Sequence, residues 1–197
     1  LHPEEYWKSG GTVLNKRDIF NRLKSRGADI KKYVGAFIKW ILLAVPLGII
    51  CGAVGVGLYY AVSWATAFRG DNPWLIYLLP VAGLAIIGLY KLLKMPKDRG
   101  TNLVISSIQT DEKVPFRMSA LIFAGTAITH LFGGSAGREG AALQVGGGIG
   151  CGMAKLIKAD ETTRKVMTLC AMSAVFSAVF GTPLTAAVFC IEVINVG

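Results

Sequence analysis

Residues 40–68 read WILLAVPLGIICGAVGVGLYYAVSWATAF and contain no charged side chain over 29 positions. An α-helix needs about 20 consecutive apolar residues to cross the hydrocarbon core of a bilayer. Three further uncharged runs of 18, 20 and 26 residues follow at 73–90, 118–137 and 166–191. With 53% hydrophobic residues overall, these runs predict an all-α, polytopic membrane protein with about four crossings and some shorter, broken pieces.

Basic residues are concentrated ahead of the first run, where residues 1–39 hold nine of the 21 lysines and arginines. The positive-inside rule therefore predicts a cytoplasmic N-terminus and a multi-pass protein of the cell membrane. A net charge of +9 would also suit a nucleic-acid-binding protein. We do not expect nucleic acid as a partner, because the charge lies beside apolar runs, where the lipid bilayer is the partner.

The same contrast divides the chain into two predicted domains. Residues 1–39 form a cytoplasmic basic segment, and residues 40–197 form a transmembrane domain. Within the first, residues 14–39 fit either an amphipathic helix on the membrane surface or a solvated basic arm, since apolar side chains alternate with lysines and arginines.

The last two apolar segments are interrupted. Residues 141–154 are too few to span and contain five glycines, while the run 166–191 is broken by Gly181-Thr182-Pro183. Irregular backbone at membrane depth is tolerated only where it is buried in protein or lines a cavity. Transporters use such breaks to direct helix ends at their substrate. We therefore expect broken and re-entrant helices around an ion path.

The motif Gly137-Arg138-Glu139-Gly140 lies between an apolar run and one of these short segments. Ionised residues at membrane depth are costly and usually mark an ion path. The N–H groups at the start of a helix attract an anion. An ionised Glu139 can occupy the anion's position and leave it when protonated, which predicts a gate and proton carrier. The alternative is an interfacial salt bridge between Arg138 and Glu139.

A second candidate helix start is Gly-Thr-Asn-Leu-Val at residues 100–104. Thr101 or Asn102 can cap such a helix and leave backbone N–H groups for an anion. The alternative is a plain cytoplasmic loop that opens a short helix.

Taken together, these motifs resemble the first half of the CLC family of chloride channels and anion/proton exchangers, from about residue 40 onward. The motifs are Gly100-Thr-Asn-Leu-Val, Gly137-Arg-Glu-Gly-Ala and Phe180-Gly-Thr-Pro-Leu-Thr, followed by Phe189-Cys-Ile-Glu-Val. The second departs from the family's Gly-Lys/Arg-Glu-Gly-Pro signature, because Ala141 replaces proline. The resemblance implies the first half of a CLC-type inverted repeat, so we expect the chain to be a piece of a longer protein.

The resemblance also implies residue roles. Glu139 matches the family's external gating glutamate, and Thr101 stands in the place of its anion-coordinating serine, although residues 100–104 depart from the usual Gly-Ser-Gly-Ile-Pro loop. The Gly-x-Asn-Leu-aliphatic form is similar to the branch that exchanges fluoride for protons. Val193 occupies the place of the internal proton-transfer glutamate, which argues against the usual chloride/proton exchange. The implied anion-binding residues are Gly100, Thr101, Asn102, Leu103, Gly137, Arg138, Gly140, Ala141 and Ala142.

The function implied is transmembrane transport of chloride or fluoride, gated by a glutamate and coupled to protons, in a homodimer. A passive chloride channel is one alternative, and a non-transporting half-module that needs a partner is another. We expect no enzymatic activity, because the sequence has no nucleotide fingerprint and no Ser/His/Asp constellation. It also shows no metal-ligand spacing, so no metal and no cofactor is predicted.

Overall fold

A computed structural model of the chain describes residues 16–95, 100–110 and 114–195, without the side chains of 16–30, 32 and 193–195. In this part of the chain every regular element is helical, which confirms the predicted all-α class. The elements are α1 (Lys16–Asp71), a 3-10 helix (Pro73–Leu78), α2 (Leu79–Leu92), α3 (Thr101–Gln109), α4 (Phe116–Leu131), α5 (Arg138–Leu156), α6 (Glu161–Phe180) and α7 (Pro183–Asn195).

Three helical stretches are long and apolar enough to cross a membrane: Tyr33–Asp71, Pro73–Leu92 and Glu161–Phe180. The predicted crossing at 118–137 forms only the 16-residue helix α4, because the chain turns at Gly133, whose φ is +81°. The fourth run is split between α6 and α7. The apolar runs therefore mark the helices correctly but overstate the length of two of them.

The chain forms two compact units, Leu1–Leu42 and Leu43–Gly197. In the first unit the backbone is helical from Lys16, but the side chains needed to judge the amphipathic pattern of residues 14–39 lie outside the described residues. The second unit holds the hydrophobic core, which helices α3 to α7 share with residues 47–62 of α1. Its largest fully buried side chains include Leu58, Met118, Leu121 and Met172.

Helix α5 is the centre of the second unit, and every residue from 141 to 151 is buried. The glycines of α5 make this burial possible, because neighbouring helices can approach its backbone. A Cβ atom on Gly146 would lie 2.6 Å from the carbonyl oxygen of Ala171 in α6, and one on Gly150 would lie 2.7 Å from Cα of Thr168. Gly147 and Gly148 approach Val104 of α3 and Ser119 of α4 still more closely. Glycine therefore lets three helices pack directly on the backbone of α5.

The predicted break at residues 181–183 is confirmed. Helix α6 ends at Phe180, and Gly181 follows in the left-handed conformation with φ +71° and donates its N–H to the carbonyl of Ser177. Such a C-terminal glycine satisfies a carbonyl that the helix leaves open. Pro183 then begins α7, since its fixed φ suits the first turn of a helix and it cannot continue the previous one.

The buried Arg164 joins α6 to the C-terminal end of α3. Its Nη1 donates to the carbonyl of Ser107 at 3.2 Å, and its Nη2 lies 2.6 Å from Oε1 of Glu161. The last carbonyls of a helix have no intrahelical partner and carry partial negative charge. The guanidinium therefore completes the C-terminal end of α3 and fixes it against α6.

Replacement of Gly146 by alanine tests the close packing of α5. The added Cβ meets backbone atoms of α6 that cannot rotate away, so we expect Gly146→Ala to destabilise the protein by about 1–3 kcal/mol. The measurement is the midpoint of thermal unfolding in detergent. Gly88→Ala in α2 is the matched control, because nothing lies within 4 Å of its Cβ position. An unchanged midpoint for Gly146→Ala would contradict the packing described here.

Replacement of Arg164 by methionine tests the link between α6 and α3. It leaves the Ser107 carbonyl without this donor, and we expect a loss of about 1–3 kcal/mol in unfolding free energy. Lys165→Met is the control, because Lys165 contacts the same Glu161 at 3.4 Å with a side chain 30% exposed, and such pairs contribute about 0–1 kcal/mol. Equal effects of the two variants in the same unfolding assay would show that the Ser107 bond contributes little.

Candidate anion-binding site

The two predicted helix starts lie beside each other. A Cβ atom on Gly140 would lie 3.1 Å from Oγ1 of Thr101, and Gly147 packs on Val104 two turns further along α5. Helices α3 and α5 therefore run side by side in the same direction. Their N-terminal ends face the same region, so the partial positive charges of the two helix dipoles add there.

Neither of these two helix starts carries a side-chain cap. The N-cap residues are Gly100 and Gly137, which have no side chain to accept a hydrogen bond from the first turn. Helix α6 shows the ordinary arrangement, in which the carboxylate of Asp160 accepts from the backbone N–H of Thr163 at 3.1 Å. The glycine caps leave room for a ligand to approach the first-turn N–H groups of α3 and α5.

Glu139 is the second residue of α5 and is exposed. A carboxylate in the first turn is stabilised by the helix dipole, as an anion would be. The ion pairs within 4.0 Å among described residues all involve Glu161. The alternative salt bridge between Arg138 and Glu139 is therefore not formed in this part of the chain, and the Glu139 carboxylate is held by no neighbouring cation.

The remaining predicted site residues fall into two groups. Four lie in the first turn of α3 or α5, and the fifth, Leu103, packs against the core. Thr101, Arg138 and Gly140 lie at the meeting point of the helices or in the first turn of α5, while Asn102 is exposed in the first turn of α3. Leu103 is half-buried against the core, and its N–H already donates to the carbonyl of Gly100 at 3.1 Å.

Ala141 and Ala142 are the last two residues of the predicted anion-binding set. Both are buried inside α5, which begins at Arg138. In an α-helix the N–H groups of the fifth and later residues, counted from the N-cap, bond to carbonyls of the preceding turn. The N–H groups of α5 without a partner inside the helix are consequently those of residues 138–140, which end two positions before Ala142.

Gln144 lies beside the predicted site residues, although the sequence-based reasoning did not include it. It lies one turn after Gly140 on the same face of α5 and is only 8% exposed. Its Nε2 donates to Oγ1 of Thr101 at 3.4 Å. The available signal was a single amide side chain in a segment otherwise composed of small and apolar residues, four positions after the glycine of the motif.

The third motif contributes packing rather than polar groups to this region. The ring of Phe176 lies 4.5 Å from that of Phe180 and 5.1 Å from that of Phe189, centroid to centroid. The hydroxyl of Ser173 donates to the carbonyl of Ala186 at 3.3 Å. These contacts fold α7 back onto α6, and α7 also packs against α3. Among the described residues, no group of three or more His, Cys, Asp or Glu side chains could hold a metal ion.

Comparison with known proteins matches the chain to a family model and to individual relatives. The family model described as voltage gated chloride channel matches residues 82–196, which is more than half of the chain. A chloride/fluoride channel protein of Pseudomonas syringae pathovar tomato is 38% identical over 170 residues, or 86% of this chain and 37% of that protein. The H(+)/Cl(-) exchange transporter ClcA of Cronobacter sakazakii is 30% identical over 167 residues, or 77% of this chain and 36% of that protein.

A solved structure is similar as well. The crystal structure of a CLC-type fluoride/proton antiporter superposes with a TM-score of 0.72 at 34% identity and covers 77% of this chain and 39% of that one. The chain thus spans a little over a third of the length of the relatives that it matches. The matched family model, the broken helices and the paired helix starts lead to one conclusion: the chain belongs to the CLC, or voltage-gated chloride channel, family of membrane proteins.

Proposed function

We propose that the protein containing this chain carries small halide anions across the membrane and exchanges fluoride for protons. The observation that carries the proposal is the meeting of two glycine-capped helix starts, at which Gly140 of α5 faces Thr101 of α3. Two adjacent helix N-termini offer an anion several N–H donors, and their dipoles together correspond to about one positive charge. The likeness to a fluoride/proton antiporter and to a chloride/fluoride channel protein supports this class of substrate.

Glu139 is the proposed gate and proton carrier. Its backbone belongs to the same first turn as the proposed anion donors, and its side chain is exposed. When ionised, the carboxylate competes with the anion for the positive helix ends. When protonated, it loses that attraction and leaves the position to the anion. One side chain thereby links the passage of an anion to the movement of a proton.

Two features favour fluoride over chloride as the exchanged anion. The motif at residues 100–104 has the Gly-x-Asn-Leu-aliphatic form of the fluoride branch. In addition, position 193 is valine, which cannot carry a proton as the internal glutamate of chloride/proton exchangers does. A passive channel is the competing mechanism, and the name of the relative from Pseudomonas syringae favours it.

The orientation of the protein in the membrane and its oligomeric state are also proposed. We infer a cytoplasmic N-terminus, because nine basic residues precede the uncharged run that begins at Trp40, whereas the connector after it, residues 69–72, has one basic residue, Arg69. We also infer a homodimer, by resemblance to the family, with the lipid bilayer as the remaining partner. No enzymatic step is proposed, since the relatives are named as transporters or channels.

The Glu139→Gln variant of the full-length protein tests the gate. Glutamine keeps the size of the side chain but cannot ionise, so proton movement coupled to fluoride should fall by at least about tenfold. Fluoride movement itself should continue and lose its dependence on pH. The measurement is fluoride and chloride efflux from reconstituted liposomes with simultaneous recording of pH.

Glu192→Gln in α7 is the matched control, because Glu192 is also exposed but lies away from the two helix starts in sequence and element. It should retain coupled transport. Full coupling in Glu139→Gln would refute the gate assignment. Equal chloride and fluoride flux without any pH change in the unmodified protein would instead establish the passive channel.

A further inference from the structure

Gln144 holds an unpartnered buried atom beside the proposed anion site. Its amide oxygen Oε1 is a fully buried side-chain oxygen without a hydrogen-bond partner among the described residues. The nitrogen of the same amide donates to Oγ1 of Thr101, whose hydroxyl stands where α3 meets Gly140. The oxygen therefore lies close to the two helix starts and not in a remote part of the core.

The hydrogen bond to Thr101 decides what its hydroxyl can do. A threonine hydroxyl has one proton and accepts through its lone pairs. Because Gln144 donates to Oγ1, the hydroxyl proton stays available for an anion. Were the amide turned over, its oxygen would accept that proton and withdraw it from the anion. The observed orientation thus favours anion binding at Thr101 and leaves Oε1 of Gln144 without a partner.

A buried amide oxygen without a partner is costly, whereas an apolar side chain of similar size would carry no such cost. A ligand that removes the cost must donate a hydrogen bond to Oε1 and also accept one from Thr101. A bare halide ion does only the second. A halide ion that keeps one water molecule does both, since the water can donate one proton to Oε1 and the other to the ion.

A protonated Glu139 is another source of an O–H donor, but its position is less suitable. Residues five apart in an α-helix are separated by about 140° around the axis. Glu139 consequently starts from a different face of α5 than Gln144, while Gly140 shares the face of Gln144. A water molecule that stays bound to the anion is therefore the more suitable donor to Oε1 of Gln144.

We propose that Gln144 is a selectivity residue that holds one water molecule of a partly hydrated anion beside Thr101. This inference rests on the proposed function and specifies how the same site distinguishes halides. Fluoride is smaller than chloride and attracts its water more strongly, because Coulomb energy grows as the separation shrinks. A site that keeps one water in place lowers the dehydration cost more for fluoride than for chloride.

The variant Gln144→Met in the full-length protein tests this inference. Methionine has similar length and volume but no amide. We expect the ratio of fluoride to chloride efflux from reconstituted liposomes to fall about tenfold, as for loss of one buried hydrogen-bonding group. Both rates are measured in the same vesicles, and the inference requires the fluoride rate to fall further than the chloride rate. Gln109→Met, at the exposed far end of α3, makes the same chemical change away from the site and should leave the ratio unaltered.

Two results would overturn the inference: an unchanged fluoride-to-chloride ratio, or a parallel loss of both rates, which is the mark of a purely structural residue. If Gln144→Met is not recovered as a monodisperse protein, Gln144→Asn replaces it, because the shorter amide cannot reach Thr101 and should lower the same ratio. Absence of halide flux in the unmodified protein would refute the proposed function itself. Normal flux with an unaltered ratio in both variants would refute only the role of Gln144.

Discussion

Helix α5 is surrounded by protein from residue 141 to residue 151, and the rest of the second unit depends on this burial. Three neighbouring helices approach so closely that their atoms meet its backbone. This is possible only where side chains are absent, at Gly146 and Gly150 towards α6, at Gly147 towards α3 and at Gly148 towards α4. In a membrane, where apolar surface alone gives little drive for helices to associate, such close packing supplies much of the attraction.

This packing also determines the proposed site. Because α3 and α5 lie side by side in the same direction, their positive ends are adjacent, whereas the dipoles of antiparallel neighbours would partly cancel. The opposite end of α3 meets the guanidinium of Arg164. Both ends of this nine-residue helix are thus matched electrostatically, one by a protein cation and the other, in the proposed mechanism, by a transported anion. A helix this short gains little from its own hydrogen bonds and relies on such contacts.

Buried polar side chains are few among the described residues, and two of them join helices to one another. Arg164 completes a helix end, and Ser119 donates to the carbonyl of Val145 where α4 crosses α5. Gln144 differs, since half of its amide is satisfied and half is not. Buried polar groups in membrane proteins are costly and usually functional. The unpaired oxygen therefore indicates that Gln144 binds a ligand, whereas a fully hydrogen-bonded amide would be explained by packing alone.

The sequence by itself determined the all-α membrane class, the break at Gly181-Thr182-Pro183 and the motif around Glu139, because these depend on local composition and backbone geometry. It overstated the third crossing, since an uncharged run does not reveal where Gly133 turns the chain. Only the tertiary structure places Thr101 beside Gly140 and Gln144, which lie 39 and 43 positions further along the chain. Such a contact depends on which helix faces pack together, and no local pattern of residues contains that information.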